Sequence, residues 1–119
     1  MKSDLRQRTY AFALAIIKLG HAVNDRSDSW RVLYNQLLRC GTSISANVIE
    51  ARSGSSRRDF VNFYNHALKL ANESMFWLGL IRDSAVLQRG QVDPLITEAD
   101  ELARMLAASI ITLKGNRKY

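Results

Sequence analysis

Apolar side chains recur along this chain at steps of three and four, the spacing that places them on one face of an α-helix. Leu5, Thr9, Phe12, Ile16, Leu19 and Val23 form a first stripe, which the polar run Asn24 to Ser29 breaks. A second follows Asp28 or Ser29, either of which can cap a helix, and takes in Trp30, Leu33, Leu37, Gly41, Ile44 and Val48 before Ser53-Gly54. Ser56-Arg57-Arg58-Asp59 reads as a capping-box-like start, with an acid at the favourable end of the helix dipole. The third stripe is Phe60, Phe63, Ala67, Leu70, Ser74, Leu78, Ile81 and Ala85, closed at Gly90. Asp93-Pro94 signals a fourth start, because proline at the first helical position gives up an N–H that lacks a partner anyway. Leu95, Ala99, Leu102, Leu106, Ser109 and Leu113 follow, with acids Asp93, Glu98, Asp100 and Glu101 early and Lys114 late. The predicted helices span residues 4–23, 30–52, 57–88 and 94–114.

No segment alternates with the period of two that a strand requires. Four amphipathic helices with short connections bury their stripes most simply as an all-α, antiparallel up-down four-helix bundle, here one domain over residues 1–119. A hydrophobic content of 47% in 119 residues suffices for one modest core. Two helices carry more grease than that core can receive. "AFALAII" (Ala11 to Ile17) and "MFWL" (Met75 to Leu78) spread large apolar groups around most of a circumference, which predicts a second buried face and hence an oligomer, with Tyr64, Phe76 and Trp77 as its anchors. "AFALAII" is too short to cross a bilayer, so no membrane association is expected. The single cysteine, Cys40, forms no internal disulfide, and the first residues lack the pattern of a secretory signal, so a cytoplasmic setting is expected.

Few residues are spaced for chemistry. Di-iron bundles need Glu-x-x-His pairs on one helix, and here the residues three beyond Glu50, Glu73, Glu98 and Glu101 are Ser53, Phe76, Glu101 and Arg104. Helical-bundle ribonucleases place an arginine a short step from a histidine, whereas seven residues separate Arg58 from His66, and His21 has only Lys18 nearby. Phosphate-binding and dinucleotide-binding glycine loops are missing, as is any Cys/His metal spacing, so no cofactor, metal or catalytic residue is predicted.

Two polar features stand out instead. Ser43, Asn47 and Glu50 recur at helical spacing beside Ile44 and Val48, and Asn72, Glu73 and Ser74 on the third helix are the expected partners in a polar seam that fixes helix register, the alternative being contact with a ligand or RNA. The net charge is +6, and Arg39, Arg52, Arg57 and Arg58 stand against the one acid Glu50 on the approach to the helix two to three hairpin, while Lys114, Arg117 and Lys118 form a basic tail. A field of this sign attracts phosphates, which makes RNA or DNA a candidate partner bound by charge or shape rather than by base sequence.

The order of motifs adds a resemblance. "SISANVIEA" (Ser43 to Ala51), "SSRRDF" (Ser55 to Phe60) and "LANESMFWL" (Leu70 to Leu78) resemble the bacterial four-helix-bundle family of 23S rRNA intervening-sequence proteins, and the likeness covers nearly the whole chain. The resemblance implies an up-down bundle, a homopentamer and kinship with accessory proteins of the reverse transcriptases in diversity-generating retroelements. It implies no catalytic activity. The chain departs from the family pattern at Ala51, where glycine usually follows the glutamate, which tightens the end of helix two. Three readings stay open: a non-catalytic oligomeric scaffold that binds RNA or a nucleic-acid-processing partner through Arg39, Arg52, Arg57 and Arg58; a purely structural or protein-interaction module; and a ribonuclease centred on His66.

Overall fold

The computed structural model of this chain describes residues 2–24, 27–54, 56–84, 87 and 89–116, and places the four stripes on four helices. These are α1 (Lys2–His21), α2 (Asp28–Arg52), α3 (Arg57–Asp83) and α4 (Arg89–Asn116). No strand occurs among the described residues. The helices pack side by side into a bundle 53 Å long and 21 by 20 Å across, in which α2 packs on α1 and α3, and α4 packs on α3 and, over a shorter stretch, on α1.

Local chemistry explains most boundaries. Ser27, one residue ahead of the expected cap, starts α2: its Oγ accepts the Trp30 amide at 3.2 Å, which leaves Asp28 in the first turn at the positive end of the dipole. Ser56 caps α3 as expected, accepting the Asp59 amide at 3.1 Å. Two predicted limits are corrected. α3 stops at Asp83, where the Ser84 amide turns back onto Leu80 and Arg82 carbonyls, five residues short of the expected end; Ala85, Val86 and Gln88 lie outside the described residues. α4 starts at Arg89, so Gly90 opens a helix instead of closing one and Pro94 sits inside it. Proline there leaves the Gly90 carbonyl without its usual amide, a cost offset by burying Val92 and Leu87 against the core.

The core is built from the predicted faces: Leu5, Phe12, Ile16 and Leu19 of α1, Leu37, Ile44 and Val48 of α2, Leu78 and Ile81 of α3, and Leu102 and Leu106 of α4. Thr9 joins them because its hydroxyl donates to the Leu5 carbonyl at 2.7 Å. Gly41 lets α1 approach α2 closely, since a Cβ there would stand 3.2 Å from Cγ1 of the fully buried Ile16. Two turns nearer the start of α2, Tyr34 crosses Gly20 and donates its hydroxyl to the Ile16 carbonyl at 2.9 Å. Arg8 clasps α1 to α4, giving Glu98 two hydrogen bonds at 3.0 and 2.6 Å and Glu101 one at 2.7 Å.

The expected oligomer anchors divide. Phe76 is 57% exposed and stands with Leu80 on α3, while Tyr10, Leu14 and Ile17 form an exposed apolar line on α1. Trp77 is half-buried, edge-on to Phe76 at 4.9 Å, and its indole N–H donates to Glu73 at 2.9 Å. Tyr64 corrects the prediction: at 5% exposure it lies within the chain's own packing, because it shares the inward face of α3 with Val61, Ala67 and Ala71.

Candidate functional site

Ser53, Gly54 and Ser56 of the α2–α3 connection each close the chain onto a neighbouring helix end. The Ser53 amide returns to the Glu50 carbonyl at 2.9 Å and the Gly54 amide to the Ala51 carbonyl at 3.2 Å, which ends α2. A side chain at Gly54 would press on the Ala51 carbonyl at 3.1 Å and on Cβ of Asp59 at 3.2 Å, so glycine lets the turn close tightly onto α3. The result brings Arg52 at the end of α2 beside Arg57 and Arg58 in the first turn of α3, all three exposed.

Arg52 and Arg57 border a cleft of about 420 Å³. Arg52, Ser56 and Arg57 supply its polar wall, Phe60, Tyr64 and Leu113 its apolar wall, and Ala51 and Gly54 complete it. The Phe60 and Tyr64 rings stand 4.5 Å apart, and Leu113 brings the last turns of α4, including exposed Lys114, to the same end of the bundle. Burial raises the pKa of the Tyr64 phenol, and the charge of Arg52 acts against that rise. A second surface cleft joins Arg6 and Tyr10 of α1 to Ile49, three residues before Arg52, and this contribution from α1 was not foreseen from the sequence.

Carboxylates neutralise cations elsewhere: Glu98 and Glu101 hold Arg8, Asp83 and Asp93 hold Arg82, Asp28 holds Arg31 and Asp100 holds Arg104. Arg52, Arg57 and Arg58 form no ion pair among the described residues. Arg39 stands apart, because the 13 positions between it and Arg52 correspond to roughly 20 Å of helix, and its guanidinium bonds to Gln36 at 2.6 Å. Arg117 and Lys118 lie outside the described residues.

Residues 1–108 match the model of the 23S rRNA-intervening sequence protein family. The chain belongs to the 23S rRNA-intervening sequence protein family. A crystal structure of a protein of unknown function from the S23 ribosomal protein family of Bacteroides thetaiotaomicron is similar to it, with 34% identity over 92% of this chain and 98% of that one, and a TM-score of 0.83. Among curated proteins, none matches.

In this member of the 23S rRNA-intervening sequence protein family the expected polar seam is assembled differently. Ser74 is fully buried, donates to the Leu70 carbonyl at 2.9 Å and meets the Cys40 thiol at 3.2 Å across the α2–α3 contact. That pairing sets the level of Ser74 against Cys40, seven residues and roughly 10 Å from Asn47. Asn47 instead bonds back to the Ser43 carbonyl at 2.8 Å and borders a cleft with Asp59, Asn62, Phe63 and His66. Glu50 and Asn72 are exposed, and Glu73 serves Trp77. Ser45, buried between the seam residues, has the one sealed side-chain oxygen without a partner among the described residues.

The chemistry-bearing side chains are mostly engaged in packing. Burial raises the Cys40 pKa, opposed by the Ser74 hydroxyl, so its thiol stays protonated. His66 is exposed, and Arg58 is not among the residues lining its cleft. No cluster of His, Cys, Asp and Glu suited to a metal ion occurs among the described residues, and no helix there is long and apolar enough to cross a membrane.

Proposed function

We propose that this chain is a non-catalytic, homo-oligomeric scaffold that holds RNA, or RNA within a nucleic-acid-processing assembly, on the basic end of an antiparallel up-down bundle. The observation that carries this reading is the trio Arg52, Arg57 and Arg58, exposed and without carboxylate partners among the described residues while acids on the rest of the surface are taken up by Arg8, Arg31, Arg82 and Arg104. Phosphate contacts of this kind position a nucleic acid without reading its bases. The family's name, which refers to 23S rRNA, is consistent with such a partner.

Antiparallel packing is favoured by paired levels: Gly20 meets Tyr34 and Ile16 meets Gly41, so positions rise on α2 as they fall on α1, and the pairs Cys40–Ser74 and Asn47–Asn62 repeat the pattern on α3. Oligomerisation rests on the exposed Tyr10, Leu14 and Ile17 of α1 and Phe76 and Leu80 of α3, too many large apolar groups on two faces for free solvent contact. A homopentamer is the form the family resemblance favours. A cytoplasmic setting agrees with a lone, reduced Cys40. A non-catalytic role agrees with a thiol and a serine hydroxyl that are spent on each other in the core.

Binding of structured RNA at low salt tests the reading. Reversing charge with Arg57→Glu and Arg58→Glu is expected to weaken it by at least about tenfold. Negligible wild-type affinity at low salt, or unchanged affinity in the variant, sinks the RNA reading and leaves the interaction module.

A further inference from the structure

The cleft at the hairpin holds more than surface charge. Tyr64 lines it, is 95% buried by its 5% exposure, and its hydroxyl makes no hydrogen bond among the described residues. That hydroxyl is not among the sealed oxygens, so it opens to the cleft with a donor to offer. A tyrosine this deep normally finds a partner. Around it stand the Arg52 and Arg57 guanidiniums, the Ser56 hydroxyl, whose lone pair is used by the Asp59 amide but whose proton is free to donate, and the first turn of α3, whose leading amides have no intrahelical acceptor. Every one of these groups is a donor. The Phe60 ring, 4.5 Å from that of Tyr64, and Leu113 make the rest of the lining apolar.

We propose that this cleft takes the 5′-phosphate monoester of a nucleotide, with Arg52 and Arg57 neutralising the phosphate, Tyr64 and Ser56 donating to its oxygens, and Phe60 facing the attached nucleoside. A monoester fits better than an internal diester for two reasons. It carries nearly two negative charges and three terminal oxygens, matching two guanidiniums and several donors. As a chain end it also enters a walled cleft that a continuous backbone can only cross. The volume of about 420 Å³ falls within the range of small-ligand sites and admits a phosphate with part of its nucleoside. An aromatic wall suits a sequence-tolerant stacking contact. The assignment rests on the RNA reading above for its natural source, an RNA 5′ end, although a free nucleoside monophosphate presents the same chemistry.

The full-length protein is titrated by fluorescence anisotropy with one single-stranded RNA sequence bearing either a 5′-phosphate or a 5′-hydroxyl, and by NMR with adenosine 5′-monophosphate. The phosphorylated RNA is expected to bind about tenfold more tightly. Tyr64→Phe, checked for folding by circular dichroism, reduces that ratio to about two- or threefold, and Arg57→Gln does the same without touching buried packing. Arg58→Ala, outside the cleft, weakens both RNAs by one factor and leaves the ratio intact. Equal affinity for the two RNAs overturns the cleft assignment while the basic-hairpin reading stands. Binding of the mononucleotide without any RNA binding supports the cleft, identifies a free nucleotide as its source, and removes the RNA reading. Absence of binding to both the phosphorylated RNA and the mononucleotide overturns the assignment outright.

Discussion

Replacing Gly41 by alanine probes the closeness of α1 and α2 that brings the α2–α3 hairpin and α1 onto one end of the bundle. In a helix interior the change alone favours the folded state by about 1 kcal/mol, since glycine is the poorer helix former. Here the new Cβ would stand 3.2 Å from Cγ1 of Ile16 and 3.6 Å from Cε2 of Phe12. Ile16 must therefore give by a few tenths of an ångström, yet it is wholly buried and has no free side to move toward. Overpacking of this sort costs roughly 1–3 kcal/mol, so the net effect is a loss of about 0–2 kcal/mol. Gly79 supplies the control, because nothing lies within 4 Å of its Cβ position, and Gly79→Ala should stabilise by about 0.5–1 kcal/mol. The two variants should thus differ by about 1–3 kcal/mol. With an unfolding entropy of roughly 0.25 kcal/mol/K for a chain of this length, that is about 4–12 °C in Tm. Differential scanning calorimetry at one fixed protein concentration measures it, the concentration being held because an oligomer's Tm depends on it. If Gly41→Ala raises Tm as much as Gly79→Ala does, the tight α1–α2 approach is wrong.

Two further outcomes follow from the packing. Burial raises the Cys40 thiol from its ordinary 9.0 and the Tyr34 and Tyr64 phenols from 10.0, so the unfolded chain releases these protons first; stability is complete below about pH 9 and falls as pH climbs through 9 and 10 toward the folded values. Urea midpoints measured between about pH 8 and 11 should therefore decline, Cys40→Ala should flatten the lower part of that decline, and a flat or rising profile counts against buried, protonated groups. Light scattering should find an oligomer at micromolar concentration, and Leu14→Glu or Phe76→Glu, both at exposed apolar positions, should reduce its mass; a wild-type monomer removes the second-face argument.

Much of this architecture is legible in the residues, because four stripes at helical spacing and a Ser56 cap depend on neighbours along the chain. What escapes that reading depends on neighbours across it. Pro94 signals a start at Asp93, but the burial of Val92 and Leu87 extends α4 back to Arg89, and no local rule carries that information. The seam residues Ser43, Asn47 and Glu50 are recognisable as a pattern, yet their partners follow from the level at which Cys40 meets Ser74, which spacing within one helix cannot fix. Tyr64 looks like a surface anchor until α3 is rotated by its own core face. The basic hairpin is visible as Arg52, Arg57 and Arg58, whereas Arg39, close in sequence, is carried away by the rise of α2. The cleft itself combines α2, α3 and Leu113 of α4, and only the fold assembles it.

The salt dependence of RNA binding bears most directly on the basic end as a phosphate-binding surface. If Arg52, Arg57 and Arg58 each displace a counterion, the slope of log affinity against log salt for single-stranded RNA should be shallower by about 2 in the triple variant Arg52→Gln, Arg57→Gln, Arg58→Gln than in the wild type. An identical slope in the two proteins, or no measurable wild-type binding at low salt, contradicts the account.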